Sequence, residues 1–231
     1  LTGLLLNSGN DTGHALAREL GDMDKTTEKV NALAKKLGAT DTRVVNPTGL
    51  DAPGQMTSAY DMSLFFQHAF NNETYRKLSA TRLATIPGDK ALEVDDFEIA
   101  NDNQLIAQDY PGALGGKTGF TDDARHTFAG VAERDGRRLG VVVLDVTVED
   151  SPRAWQQAAS LLDAGFKAPE GSSVGVLEAS TKDDNLAEKL PDILEDESTG
   201  TGLKITVSAA VVATVALIAM VTYRSGKRKR G

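Results

Sequence analysis

Two short words in this 231-residue sequence combine residue types suited to acyl-transfer chemistry. Ser8-Gly9-Asn10 sets a hydroxyl and a carboxamide two positions apart, at the end of an apolar run and ahead of a helical stretch. Lys117-Thr118-Gly119 sets an ammonium beside a hydroxyl within the glycine-rich segment 115–121. A serine hydroxyl acts in catalysis only beside a group that can take or hold its proton, so serine and lysine are informative together. Alone, a Ser-x-Asn says little, because about half of chains this long contain one by chance; for Lys-Thr-Gly the rate is roughly 5%. Each also has a plain structural explanation. Ser8 and Asn10 can cap the next helix, and Lys117 can be a solvated strand residue.

Other chemistries have little to work with. The chain has no cysteine, which removes disulfides and thiolate metal sites. His14, His68 and His126 lie far apart without metal-ligand spacing, which argues against a zinc hydrolase. No metal site and no cofactor is expected.

The elements around the two words follow from periodicity. Helices are expected over 11–20 and 24–37; in the second, Val30, Leu33 and Leu37 share a face and Gly38 is the stop. Asn46-Pro47-Thr48-Gly49 is a turn. Thr57 is the expected N-cap of a helix that buries Met62, Phe65, Phe66 and Ala69, with His68 and Phe70 as packing residues. Beyond residue 110 the pattern changes. Segments 114–121, 127–133 (alternating) and 139–148, with Asp135-Gly136 as hairpin turn, predict three neighbouring antiparallel strands. Ser151-Pro152 should open a covering helix whose apolar face is Ala154, Trp155, Ala158, Leu161 and Leu162. Helices followed by an antiparallel sheet and a covering helix make the fold class α+β.

With these words in order, the chain resembles the serine penicillin-recognising enzymes, whose second and third motifs are a Ser-x-Asn and a Lys-Thr-Gly. Four stretches narrow the resemblance to low-molecular-mass D-alanyl-D-alanine carboxypeptidases, peptidase family S11. They are Leu4-Leu5-Leu6-Asn7-Ser8-Gly9-Asn10-Asp11, Asn46-Pro47-Thr48-Gly49-Leu50-Asp51, Asn101-Asp102-Asn103-Gln104-Leu105, and Tyr110-Pro111-Gly112 through Gly119-Phe120-Thr121. The resemblance covers residues 1–166 and implies a β-lactamase-like fold, a helical subdomain plus an antiparallel sheet covered by helices.

It also implies roles. Ser8 would relay a proton to the leaving amine and Asn10 would bind the substrate amide. Lys117 would keep the pocket positive, and Thr118 would bind the terminal carboxylate. Gly119 would let the peptide lie along the strand, and the Phe120 N–H would be half of an oxyanion hole. Arg125 and His126 would be near the pocket, and Asn101 and Asn103 would be scaffold hydrogen-bonders. The family's nucleophile and base belong to a Ser-x-x-Lys, and no serine here has lysine three positions on. Thr26-Thr27-Glu28-Lys29 imitates it, but after the Ser-x-Asn and on a solvated helix face. The first residue is Leu1, with no signal peptide in view, so the chain is expected to be part of a longer protein whose Ser-x-x-Lys lies upstream. The implied partners are peptidoglycan stem peptides ending in D-Ala-D-Ala, with β-lactams as inhibitors. A non-catalytic wall-binding pseudo-enzyme and a D,D-endopeptidase remain alternatives.

The far end of the chain carries a different signal. Segment 205–223 has 19 residues without charge, proline or glycine. At 1.5 Å per residue it reaches roughly 28 Å, near the ~30 Å hydrocarbon core of a bilayer. A transmembrane helix is expected over 204–223. Behind it, residues 224–231 carry five cations (Arg224, Lys227, Arg228, Lys229, Arg230), which places the tail in the cytoplasm and the rest outside. Removing those five cations from the net −8 leaves −13 on residues 1–223, an acidic body that argues against a nucleic-acid partner. Segment 168–203, rich in Asp, Glu, Ser, Thr and Gly, is the expected solvated tether. The expected organisation is thus a partial D,D-peptidase domain over 1–167, an acidic tether over 168–203, the membrane helix over 204–223 and the basic tail over 224–231.

Overall fold

The computed structural model describes residues 1–147, 152–173 and 175–178. A helical layer comes first: α1 (Thr2–Asn7), α2 (Asn10–Glu19), α3 (Met23–Leu37), α4 (Ala59–Ala69) and α5 (Glu73–Ser79). A small hairpin of β1 (Leu83–Ile86) and β2 (Phe97–Ala100) follows, then the one-turn α6 (Gln104–Ala107). The chain closes on β3 (Ala113–Thr121), β4 (Arg125–Arg134), β5 (Arg137–Val146) and α7 (Ala154–Lys167).

The three long strands pair antiparallel in the order β3-β4-β5, as the hairpin signals predict. Asp135 and Gly136 both have positive φ (52° and 77°), the left-handed pair that a tight two-residue hairpin requires. β4 departs from the expected alternation: residues 127–132 are all buried. The reason is tertiary. Ala129 and Val131 face the helical layer and join Leu5, Leu6, Val30 and Phe65 in one cluster. Phe128 and Ala132 face α7 and join Ala158 and Leu162 in a second. A central strand covered on both faces has no solvent side to record as polar residues.

The helix boundaries follow their caps. Asp22 Oδ1 accepts from Lys25 N (2.7 Å) to start α3, and Gly38 ends it with φ 79°. Met62, Phe65, Phe66 and Ala69 of α4 are buried as expected, but its N-cap is Ser58, whose Oγ accepts from Asp61 N at 3.1 Å. Thr57 instead bonds the Thr42 hydroxyl through its own (2.8 Å), and Thr42 Oγ1 donates to Asp61 Oδ2 at 2.7 Å. The covering helix begins later than expected. Arg153 is its N-cap and Gln156 Oε1 reaches back to the Arg153 N–H at 2.8 Å, so Pro152 stands outside the first turn; Ser151 lies outside the described residues. Ala154, Ala158 and Leu162 face the sheet, whereas Leu161 is 56% exposed and turns to solvent. Among the described residues no helix is long and apolar enough to cross a membrane. The expected span at 204–223, the basic tail and most of the tether lie outside those residues.

Candidate active site

Helix α1 buries Leu4, Leu5 and Leu6 completely, and this fixes where the chain emerges. It stops at Ser8, which takes the left-handed conformation (φ 53°, ψ 37°), while Gly9 N closes the end by donating to Gly3 O at 3.2 Å. A left-handed serine costs about 1 kcal/mol, so the neighbouring structure must hold it there. α2 starts immediately, with Thr12 Oγ1 donating to Gly9 O at 2.6 Å. Ser8 is therefore the hinge between two helices, with its hydroxyl turned inward, and it caps neither by its side chain. Asn10, two residues on, is exposed in the first turn of α2.

Strand β3 brings the second word alongside. Gly115 and Gly116 have φ of 137° and 152°. A Cβ at Gly115 would sit 2.3 Å from Ser79 Oγ, and one at Gly116 would sit 2.3 Å from Ala129 O and 2.9 Å from Asn103 Nδ2. Only glycines let the strand press this closely on α5 and on the loop before α6. The next residue, Lys117, is 2% exposed and crosses to the helical layer. Its Nζ donates to Ser8 Oγ at 2.5 Å and to Thr118 O at 2.8 Å, with Thr118 Oγ1 at 3.4 Å. The two words, 109 positions apart, thus meet through a direct hydrogen bond. Burial pulls the Lys117 ammonium down to about 8, and the nearby charge of Asp102 opposes that drop.

Thr118 and Gly119 continue along β3, half-buried, at the edge of the sheet. An edge strand leaves one row of N–H and C=O groups unpaired within its sheet. Phe120 is 59% exposed, and its ring lies 4.5 Å from that of His126, its cross-strand partner. Arg125 is drawn away from the two words into an ion pair with Asp145 (2.6 Å), close in distance though not aligned as a hydrogen bond.

Two flanking loops hold this arrangement. Asn101 Nδ2 donates to Ser79 O and Thr81 O, and its Oδ1 accepts from Asn103 N, so it is the scaffold group expected. Asn103 Oδ1 caps α6 through Leu105 N. In the other loop Asn46 Oδ1 accepts from Thr48 N, Thr48 Oγ1 and Gly49 N, folding the turn. Asp51 Oδ2 then accepts from Asp123 N at 3.2 Å, tying that turn to the β3–β4 tip. Asp51 and Asp102 both lie inside the stretches that carry the resemblance, but the sequence suggests no role for either, because both act across the fold rather than along an element.

Several known proteins are similar to this chain in sequence and fold. DacB2, a D-alanyl-D-alanine carboxypeptidase of Mycobacterium tuberculosis, is 43% identical over 180 residues, covering 77% of this chain and 60% of that protein. DacF of Bacillus subtilis, also a D-alanyl-D-alanine carboxypeptidase, is 33% identical over 74% of this chain and 42% of its own. This chain therefore spans roughly half the length of these relatives. Among solved structures, a D-alanyl-D-alanine carboxypeptidase from M. tuberculosis superposes with a TM-score of 0.70 at 43% identity, over 76% of this chain and 66% of that one. The Streptomyces K15 DD-transpeptidase does so with a TM-score of 0.67 at 27% identity, over 72% and 66%. The fold is thus the penicillin-binding-protein-like α+β fold. Residues 1–148 match the peptidase S11 sequence profile, and the chain belongs to that family of D-alanyl-D-alanine carboxypeptidases.

Proposed function

We propose that the complete protein is a membrane-tethered serine D-Ala-D-Ala carboxypeptidase acting on peptidoglycan stem peptides, with residues 1–167 forming part of its catalytic domain. The observation that supports this best is the 2.5 Å bond from the buried Lys117 ammonium to Ser8 Oγ. In this reading the nucleophile and its base come from a Ser-x-x-Lys upstream of residue 1. The activated serine oxygen attacks the carbonyl of the penultimate D-alanine, the peptide C–N bond breaks, and D-alanine leaves with a proton on its nitrogen. Water then hydrolyses the acyl-enzyme and frees the serine. Ser8, polarised by Lys117, relays the proton to the leaving nitrogen. Asn10, exposed at the start of α2, donates to the substrate amide. Thr118 and Lys117 receive the terminal carboxylate, the peptide adds along Gly119, and the Phe120 N–H supports the oxyanion. β-Lactams would acylate the same serine. Segment 204–223 would span the membrane with the tail inside, which puts the site on the wall side of the bilayer.

Fluorescent penicillin tests the reading. It should label the complete gene product covalently, and Lys117→Ala should abolish the label. Labelling of the 231-residue chain by itself would put the nucleophile inside residues 1–231 and overturn this assignment. A complete reading frame without Ser-x-x-Lys would leave a wall-binding pseudo-enzyme.

A further inference from the structure

Lys117 is an ammonium in an unusual setting. It is buried, yet its hydrogen-bond partners are two hydroxyls and a carbonyl, and among the described residues no carboxylate touches it. A buried cation without a counter-charge tends to shed its proton. The elements around the site carry several charges: Asp11 on α2, Glu73, Arg76 and Lys77 on α5, and Arg125, His126, Glu133 and Arg134 on β4. Against the burial that lowers the Lys117 ammonium, the nearby charge of Asp102 favours the charged form.

Asp102 is also built into the turn that presents Ser8. Its backbone N–H donates to Leu6 O at 2.8 Å, satisfying a carbonyl at the C-terminal end of α1 two residues before Ser8. Its Oδ1 accepts from Asn7 Nδ2 at 3.4 Å. The residues on either side are pinned, Asn101 to α5 and to Thr81 in the link between α5 and β1, Asn103 to α6. Asp102 is thus half-buried on a loop whose neighbouring residues are hydrogen-bonded in place, with its side chain against Asn7, the residue before Ser8.

We propose that Asp102 is a positioning residue that keeps Lys117 an ammonium and fixes the left-handed turn at Ser8. The role rests on the acyl-transfer reading above. Asp102 acts through its neighbours and need not meet substrate. Without its charge, Lys117 would lose its proton at lower pH, and a neutral amine would hold Ser8 and a substrate carboxylate less well.

Asp102→Asn tests this, since the amide keeps the side-chain shape and the backbone bond to Leu6 while removing the charge. The titration of the Lys117 ε-carbon is followed by NMR in the 231-residue chain, with Lys117→Arg identifying its resonance. The expected result is a midpoint lower in Asp102→Asn than in the wild type. In the complete protein, the loss of penicillin acylation caused by Asp102→Asn should deepen as pH rises from 6 to 9. An unchanged midpoint, or a loss of acylation equal at every pH, overturns the proposal. Because the NMR midpoint needs no acylation, a wild-type protein that never acylates refutes the enzymatic reading separately, and the titration still decides the role of Asp102.

Discussion

Replacing Lys117 by methionine should flatten the pH dependence of folding stability by a calculable amount. The Lys117 ammonium titrates near 8 in the folded chain, against an ordinary value of 10.5. The folded pKa is lowered, so the unfolded chain holds the proton more tightly and binds more protons between those limits. Stability therefore rises with pH through this window, by up to 1.36 kcal/mol per pH unit for one proton. Below pH 8 the burial penalty is present in full, about 3 kcal/mol for a shift of this size; above 10.5 both states are neutral and it is gone. Between pH 7 and 9.5 the wild type should gain about 2 kcal/mol relative to Lys117→Met, which has nothing to titrate there. Urea unfolding of both proteins at matched pH measures the difference. Burial raises Tyr75, and burial with the Asp163 bond raises Tyr110 to about 12; both lower stability at still higher pH, but in both proteins alike. A wild-type-minus-variant difference that stays flat from pH 7 to 9.5 would mean that Lys117 is hydrated, and the electrostatic account of the site would fail with it.

Two further outcomes concern the frame that holds β3. Gly116→Ala should destabilise the chain by about 3 kcal/mol in urea titration, because the added methyl meets Ala129 O and Gly130 Cα at 2.3 and 2.8 Å. Gly136→Ala is the comparison: its φ is also left-handed but nothing lies within 4 Å, so only about 1 kcal/mol is expected. Arg134 is stacked between the Tyr110 and Phe166 rings (4.8 and 4.5 Å) while its NH2 and Nε bond Asp163 Oδ1 and Pro111 O, which fastens the sheet to α7. Arg134→Lys keeps the charge but loses the planar fork and should still cost about 1 kcal/mol, read as a shift in the urea midpoint with unchanged slope.

The sequence by itself determined what depends on neighbours along the chain. The β4–β5 hairpin at Asp135-Gly136 was legible because only a few residue types take two successive left-handed conformations. The buried face of α4 was legible because helical spacing puts Met62, Phe65, Phe66 and Ala69 together. The candidate site was legible as words rather than as geometry: Ser8-Gly9-Asn10 and Lys117-Thr118-Gly119 can be read, but no periodicity shows that they touch. That contact is tertiary. It needs the buried leucines of α1 to set the exit angle at Ser8, and Gly115 and Gly116 to let β3 approach closely enough for Lys117 to cross. Burial on both faces removed the in–out alternation expected of β4, and the choice of Ser58 over Thr57 as cap was made by a bond between Thr57 and Thr42, fifteen residues away. Asp102 shows the same limit most clearly. Its backbone answers Leu6 and its charge answers Lys117, and these partners become its neighbours only when the helical layer and the sheet are packed together.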